Sequence, residues 1–483
     1  MDNEDRFKRV IRVTNKLSDH ERSTLKLYLD VFYAPFSKNG SIYSRMFDLT
    51  QDESSFSDSK YSELLDDLST DALRKNIERY EEKILESIVL PINISRESNE
   101  MDPIDKDHIR ALNYLQIFKR LSSLGELDNA IRTLRKALKI FRRLEQFDFS
   151  IYCLNQLSAI SIFRLKKMKS VNFEKEFEQL EIMRSNYYVA TRLRESSFRF
   201  YLIDNLNEKQ KKELDTITHR SDLIKNEPYS ASVDRNILYI KLLYFDKIND
   251  VKSCLEICER LKNLVSTNGA LKKKREIDTI EINLAQFYVL DRAFDKSDSI
   301  IQDLLKRDSL SDINRAYVFV VHCRNLLSSM KVDECIDAAR EGVIQSWMSP
   351  LFKEQLLLIK AYSHYLSRDP KTAILNLDDI FELKKDKSGW NYSFRVLIIL
   401  CFYAMSNLDA MITEIENFRR YIHGKDLTKR QKHHAILIYA LAENTLNRTL
   451  INLKPVGVWD PTSSEIVDLD KVFIDLVQNE TPN

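Results

Sequence analysis

Apolar residues recur along most of this chain at three- and four-residue intervals, the spacing of one face of an α-helix. Between Thr70 and Leu90 the series is Leu73, Ile77, Tyr80, Ile84, Leu85 and Ile88, and Pro91 stops it. The same spacing predicts helices over 4–16, 19–33, 41–49 and 58–68. Ser18, with Glu21 three places on, forms a capping box for the second of these, and Pro35 and Gly40 mark the turn after it. The polar stretch 93–107 reads as a linker, which makes 1–92 a small N-terminal helical module.

Beyond the linker the helices come in pairs. Four segments share a turn followed by a second helix, and they align with Ser297, Cys335, Ala373 and Met411 in register, each 38 residues after the last. The register sets small residues, Ala285, Cys323 and Ala361, in the first helices, where backbones must approach closely. Three places later it aligns Tyr288, Leu326, His364 and Phe402. In the second helices it aligns Ile301, Ala339, Leu377 and Ile415, then Leu304, Gly342, Ile380 and Phe418. One hairpin cannot bury such a face alone, so the units are expected to stack.

This pattern resembles the tetratricopeptide repeat (TPR). The segment SLGELDNAIRTLRKALKI matches it best, with Gly125, Leu127, Asp128, Ala130 and Ala137 at the family's positions. The period is 38 residues rather than the family's roughly 34, and the closing proline is missing, so the helices are expected to be longer. The resemblance implies an all-α superhelix, a TPR-like solenoid preceded by the small N-terminal helical module. Diverged repeats are expected over 108–274, with helices over 149–166, 172–194, 196–206, 208–225, 232–246 and 250–266. Clear repeats and a capping helix over 429–447 fill 275–447, and 448–483 is a tail with a short helix near 466–477.

Composition narrows the functions. The 483 residues hold only 7 Gly, where average usage gives about 34, and no phosphate-cradling glycine loop is present. With 74 basic and 73 acidic side chains, bulk charge gives no pull towards nucleic acid or acidic lipid. Basic clusters occur at Lys139–Arg143, Arg164–Lys169 and Lys272–Arg275; the last reads as a solvated face, and with no known reader motif beside it nucleic acid is disfavoured as a partner. No apolar run spans a membrane, the charged N-terminus lacks a signal core, and cytoplasm is the expected location.

Four groups of residues are candidates for chemistry. Leu377-Asp378-Asp379-Ile380-Phe381-Glu382, with Asn249-Asp250-Val251-Lys252-Ser253 and Glu256, resembles the acidic motifs by which isoprenoid synthases hold magnesium. The order is wrong for that family, and Leu377 and Ile380 belong to the repeat register, so a solvated helix face is expected. Cys254 and Cys258 lie one helical turn apart without partners at metal-ligand spacing, and are read as buried small residues. His433 and His434 point about 100° apart on a helix and are not expected to share an ion. His423 is read as a helix C-terminal cap, while His322 and His364 lack a nucleophile.

The expected function is therefore non-enzymatic, with no cofactor, metal or catalytic residue: an interaction scaffold for a protein or peptide partner. The resemblance implies that first helices line a concave groove, and the register then selects Thr279, Gln286, Tyr317, Arg324, Gln355, Tyr362, Tyr365, Ser393 and Tyr403. The alternatives are a peptide-responsive regulatory sensor and, third, an isoprenoid-synthase-like enzyme. Partner identity and oligomeric state are not encoded in any motif.

Overall fold

A computed structural model describes residues 14, 19–32, 42–50, 71–80, 83, 84, 102–125, 127–163, 173–201, 206–308, 310–381, 383, 389–425, 427–443, 446, 449, 459–461 and 463–480. None of the described residues is in a β-strand, and the fold is an all-α solenoid. The chain divides into two compact units, Met1–Arg142 with Asn155–Phe163, and Arg143–Leu154 with Arg164–Asn483.

The first unit contains α1 (Asp19–Phe32) and α2 (Ile42–Thr50), which touch. It also holds a helix over 71–80, α3 (Pro103–Ser123), nearly all of α4 (Leu127–Arg143) and the second half of α5 (Phe147–Phe163). Leu25, Leu29, Met46, Leu73, Ile77, Tyr80 and Ile84 are buried, as their helical spacing requires. The helix α3 opens with Pro103 at its first position, inside the stretch read as a linker; proline suits that position because its missing N–H would have no helical partner. Gly125 turns α3 into α4 at φ 76°, and Ala130 and Ala137 are wholly buried. The expected helices over 4–16 (apart from residue 14) and 58–68, Ser18, the Pro35–Gly40 turn, Leu85, Ile88, Pro91 and residues 93–101 lie outside the described residues.

The second unit runs through α6 (Phe173–Phe198), α7 (Glu208–Asp222), α8 (Ala231–Lys247), α9 (Val251–Thr267), α10 (Lys274–Leu290) and α11 (Phe294–Leu305). It continues with α12 (Asp312–Ser328), α13 (Val332–Val343), α14 (Pro350–Leu366), α15 (Pro370–Leu377), α16 (Trp390–Ala404) and α17 (Leu408–Ile422). Two further helices, α18 (Lys429–Ala442) and α19 (Leu469–Glu480), close it. One helix, α6, stands where 172–194 and 196–206 were expected as two, because neither glycine nor proline interrupts 173–198. Consecutive helices pack as hairpins, and the first helices α10, α12, α14 and α16 also pack on one another in turn. That second set of contacts is what stacks the units.

The 38-residue register is visible in the backbone. Arg292, Met330, Arg368 and Ser406 adopt left-handed φ values of 59°, 62°, 64° and 56°. The residue after each donates its N–H to a carbonyl five back: Ala293 to Tyr288, Lys331 to Leu326, Asp369 to His364, Asn407 to Phe402. This is the Schellman closure of a helix C-terminus. Asn249 (φ 58°) and Asp250 repeat it after α8, so α8–α9 is one more unit. Three of these hairpins are then drawn together by a small residue in the second helix. Ser297 Oγ donates to Ala285 O (2.9 Å), Cys335 Sγ to Cys323 O (3.2 Å) and Cys254 Sγ, at 3.9 Å, to Leu242 O.

The largest core joins α12 to α19 and includes Tyr362, Ile380, Leu400, Phe418 and Phe473. Each such side chain contributes roughly 1.5–3 kcal/mol through burial. Gly342 stands in register with Leu304, Ile380 and Phe418 because its neighbours fill the space. A Cβ there would lie 2.6 Å from Leu356 Cδ1 and 3.2 Å from Phe319 Cδ1. The turn before α8 is fixed by Glu145, whose carboxylate accepts from Ser230 Oγ and the N–H groups of Ala231 and Ser232 at 2.7–2.9 Å. A negative charge at a helix N-terminus is favoured by the helix dipole.

Candidate partner-binding face

The first helices present one register position repeatedly. Tyr317 Oη on α12 donates to Gln286 Oε1 on α10 at 2.6 Å. Two repeats further on, Tyr362 Oη on α14 donates to Ser393 O on α16 at 2.8 Å, across the same chain separation of 31 residues. These lateral bonds tie successive first helices. Thr279 is exposed and donates to Arg275 O at 2.9 Å, as a helical threonine often does. Gln286, Tyr317 and Gln355 are half-buried, and Tyr365 and Tyr403 lean partly buried on the core. Tyr362 and Ser393 are buried, and Arg324 is 7% exposed. Burial raises the phenol pKa of Tyr317, Tyr362 and Tyr365.

What covers Arg324 and Ser393 is the chain's own tail. Residues 459–461 and 463–468 form a non-helical strap across the first helices, leading into α19. Arg324 Nη1 donates to Ser463 O (2.8 Å) and Pro461 O (3.3 Å), while its guanidinium lies 4.8 Å from the Trp390 ring centroid. Ser393 Oγ donates to Ser464 O. Gly389, at φ 130°, opens α16 directly beneath Ser464, and any Cβ there would collide with the serine side chain. The strap is locally folded: Ser463 N and Oγ donate to Asp460, and Trp459 Nε1 donates to Glu465 O at 2.8 Å. Burial raises the pKa of Asp246 of α8, and the negative charge of Asp460 adds to the effect.

The far end of the strap is latched to α18. Arg430 meets Glu465 through two nitrogens (2.9 and 2.7 Å), Asp470 at 2.9 Å and Asp468 at 3.3 Å. Two donors on one carboxylate give the strongest common ion-pair geometry. His433 Nε2 and His434 Nε2 lie 3.3 and 3.1 Å from the same oxygen of Asp470. The adjacent rings thus do converge, contrary to the angular expectation, because the shared group sits between them and is a carboxylate of α19. Burial lowers the pKa of His433. Burial would raise Asp470, but the His434 hydrogen bond and the Arg430 charge outweigh it and hold it low.

The other candidates take structural places. All six cysteines are free and buried; burial raises the Cys254 pKa and pushes that of Cys258 up to about 12. Asp250 caps α9 by accepting from Ser253 N, and Asp378 and Asp379 are exposed beside buried Leu377 and Ile380. His423 occupies the C-cap of α17. His322 lies 3.7 Å from Asp298, and burial lowers its pKa and that of His364. Lys139, Arg142, Arg143, Lys272, Lys274 and Arg275 are exposed, and Arg164–Lys169 lies outside the described residues. Among the described residues no group of three or more His, Cys, Asp or Glu could hold a metal ion, and no helix is long and apolar enough to cross a membrane.

No known protein-family profile matches the chain. No curated protein matches it. Among solved structures it is similar to the crystal structure of APC/C hetero-tetramer Cut9-Hcn1, at 12% identity, covering 89% of this chain and 98% of that one, with a TM-score of 0.34.

Proposed function

We propose that this chain is a non-enzymatic, TPR-like scaffold that holds a protein partner on the face built by its first helices, in a reducing compartment such as the cytoplasm. One observation carries the reading: that face already holds polypeptide, through Arg324 and Ser393 donating to main-chain carbonyls of the strap. Main-chain recognition by a preformed row of donors suits a protein ligand. Thr279, Gln286, Tyr317 and Gln355 extend the row beyond those two residues. The acidic stretch at 377–382 offers no competing case, since its two aspartates are exposed at a helix end whose apolar neighbours are core. A peptide-responsive regulator is the second reading, favoured by the latch of Arg430 on the strap.

Site-specific photo-crosslinking tests the scaffold. A photoreactive residue at Thr279 or Gln355 is expected to capture a discrete partner protein in cells. The same residue at Asp337, exposed on second helix α13, is expected to capture none. Equal capture from both faces, or none from the first helices, rejects it.

A further inference from the structure

We propose that the first-helix face from α12 to α18 is a docking groove for an acidic segment of a partner protein, and that residues 459–461 and 463–468 occupy it as a displaceable stand-in. The proposal rests on the scaffold reading and names the chemistry of its ligand. Arg324 is 7% exposed and Arg430 only 15%, so neither cation could stay in place unpaired at small cost. Whatever replaces the strap must bring what the strap brings. For Arg324 that is two main-chain carbonyls from a turn. For Arg430 it is carboxylates spaced as in Glu465, Asp468 and Asp470, with two apolar residues after the first, where Ile466 and Val467 are buried. Gly389 adds shape selection, because the side chain at the Ser464 position sits where a Cβ would stand.

One feature makes the strap an occupant that can leave. Its hold on Arg324 and Ser393 is carried by polar bonds to main-chain carbonyls, with Pro461, Ile466 and Val467 as its buried apolar side chains. A tethered segment acts at an effective concentration on the order of millimolar. A partner therefore gains the groove only by adding contacts elsewhere, and Thr279, Gln286 and Gln355 lie on the same row.

The test uses the full chain and a labelled synthetic peptide of residues 459–470. The wild-type chain is expected to bind it weakly, because the tethered copy competes. Glu465→Ala with Asp468→Ala frees two of the three carboxylate contacts of Arg430 and is expected to tighten peptide binding at least about tenfold, a gain set by the lost tethered competition. The milder Glu465→Gln is expected to shift affinity the same way by less, which covers a folding defect in the double variant. Adding Arg324→Ala is expected to abolish the gain, as is a peptide carrying lysine in place of Glu465 and Asp468. Equal affinity in wild type and both variants overturns the proposal, as does binding indifferent to peptide charge or a preference for duplex nucleic acid. Crosslinks from Thr279 that persist when the peptide fails leave the scaffold standing and remove the acidic ligand. Peptide binding without any crosslink does the reverse.

Discussion

The same lateral contact occurs twice in the repeat array, once bare and once beneath the strap. Between α10 and α12, Tyr317 meets the side chain of Gln286, and both remain half-exposed. Between α14 and α16, Tyr362 meets the main chain of Ser393, both are buried, and the serine hydroxyl is turned to Ser464 O. Arg324 holds the Gln286 register position in the unit between them, and it donates to the strap. An identical backbone register thus supports two states of one surface, an open row and a filled one. What distinguishes them is a segment far away in sequence.

The largest effect that can break this comparison lies in α19. Phe473 is wholly buried in the core beneath the strap. Phe473→Ala is expected to cost roughly 3–5 kcal/mol by denaturant titration. It should also raise hydrogen exchange at 459–468. Phe287→Ala, in the core of the open part, carries a similar cost, yet should leave exchange in the strap unchanged. If both raised it equally, the two regions would be one cooperative body and the distinction would fail.

Arg430→Ala comes next, at about 3 kcal/mol, since it leaves three partly buried carboxylates facing one another. Arg430→Lys should recover only part of this, because an ammonium restores charge without the two-pronged hold on Glu465. Full recovery would mean that charge alone latches the strap. Both variants are read by thermal melting and by exchange at 459–468.

The extent to which sequence disclosed this arrangement differs between the two states. Local rules were enough for the repeats. Small residues at 38-residue intervals lie where hairpins close, and the left-handed turns at Arg292, Met330, Arg368 and Ser406 fall on the same interval. The row of first-helix residues was legible for the same reason. Its occupant was not, because pairing of Arg324 with Ser463, 139 residues on, leaves no periodic trace. Gly389 was the nearest thing to a signal, a rare glycine at the mouth of a helix. His433 and His434 show the complementary limit. Helical geometry set adjacent residues about 100° apart, yet could not anticipate that a carboxylate from α19 would draw both rings to one oxygen.

A smaller effect sharpens the comparison at the lateral bonds themselves. Tyr362→Phe should cost about 1 kcal/mol, as water cannot replace the lost bond in a buried site. Tyr317→Phe should cost about half as much, since solvent reaches the half-exposed Gln286 amide. Equal costs would show that the strap does not dry the surface it covers.

Acid gives the subtlest discrimination, because only the covered region carries a histidine against the strap. His433 faces Asp470, with His434, Arg430 and Glu465 around it. Burial lowers its pKa in the folded chain, so between the folded value and the ordinary value near 6.5 the unfolded chain binds more protons. The stability it contributes is complete above about pH 6.5 and falls away as pH drops through that window. Asp470 acts lower: its depressed pKa contributes stability above its ordinary value near 4, lost on further acidification. In the open region Glu281, paired with Arg307, is held low by Lys262 and Arg307 despite burial, so it does not titrate near pH 6. Hydrogen exchange corrected for its intrinsic pH dependence should therefore show protection of 459–470 falling between pH 7.5 and 5.5 while that of 278–290 holds. In His433→Gln the strap's own loss over that range should shrink. A strap whose protection is flat from pH 7.5 to 5.5 would mean that the histidine pair is a bystander and that Arg430 alone closes the latch.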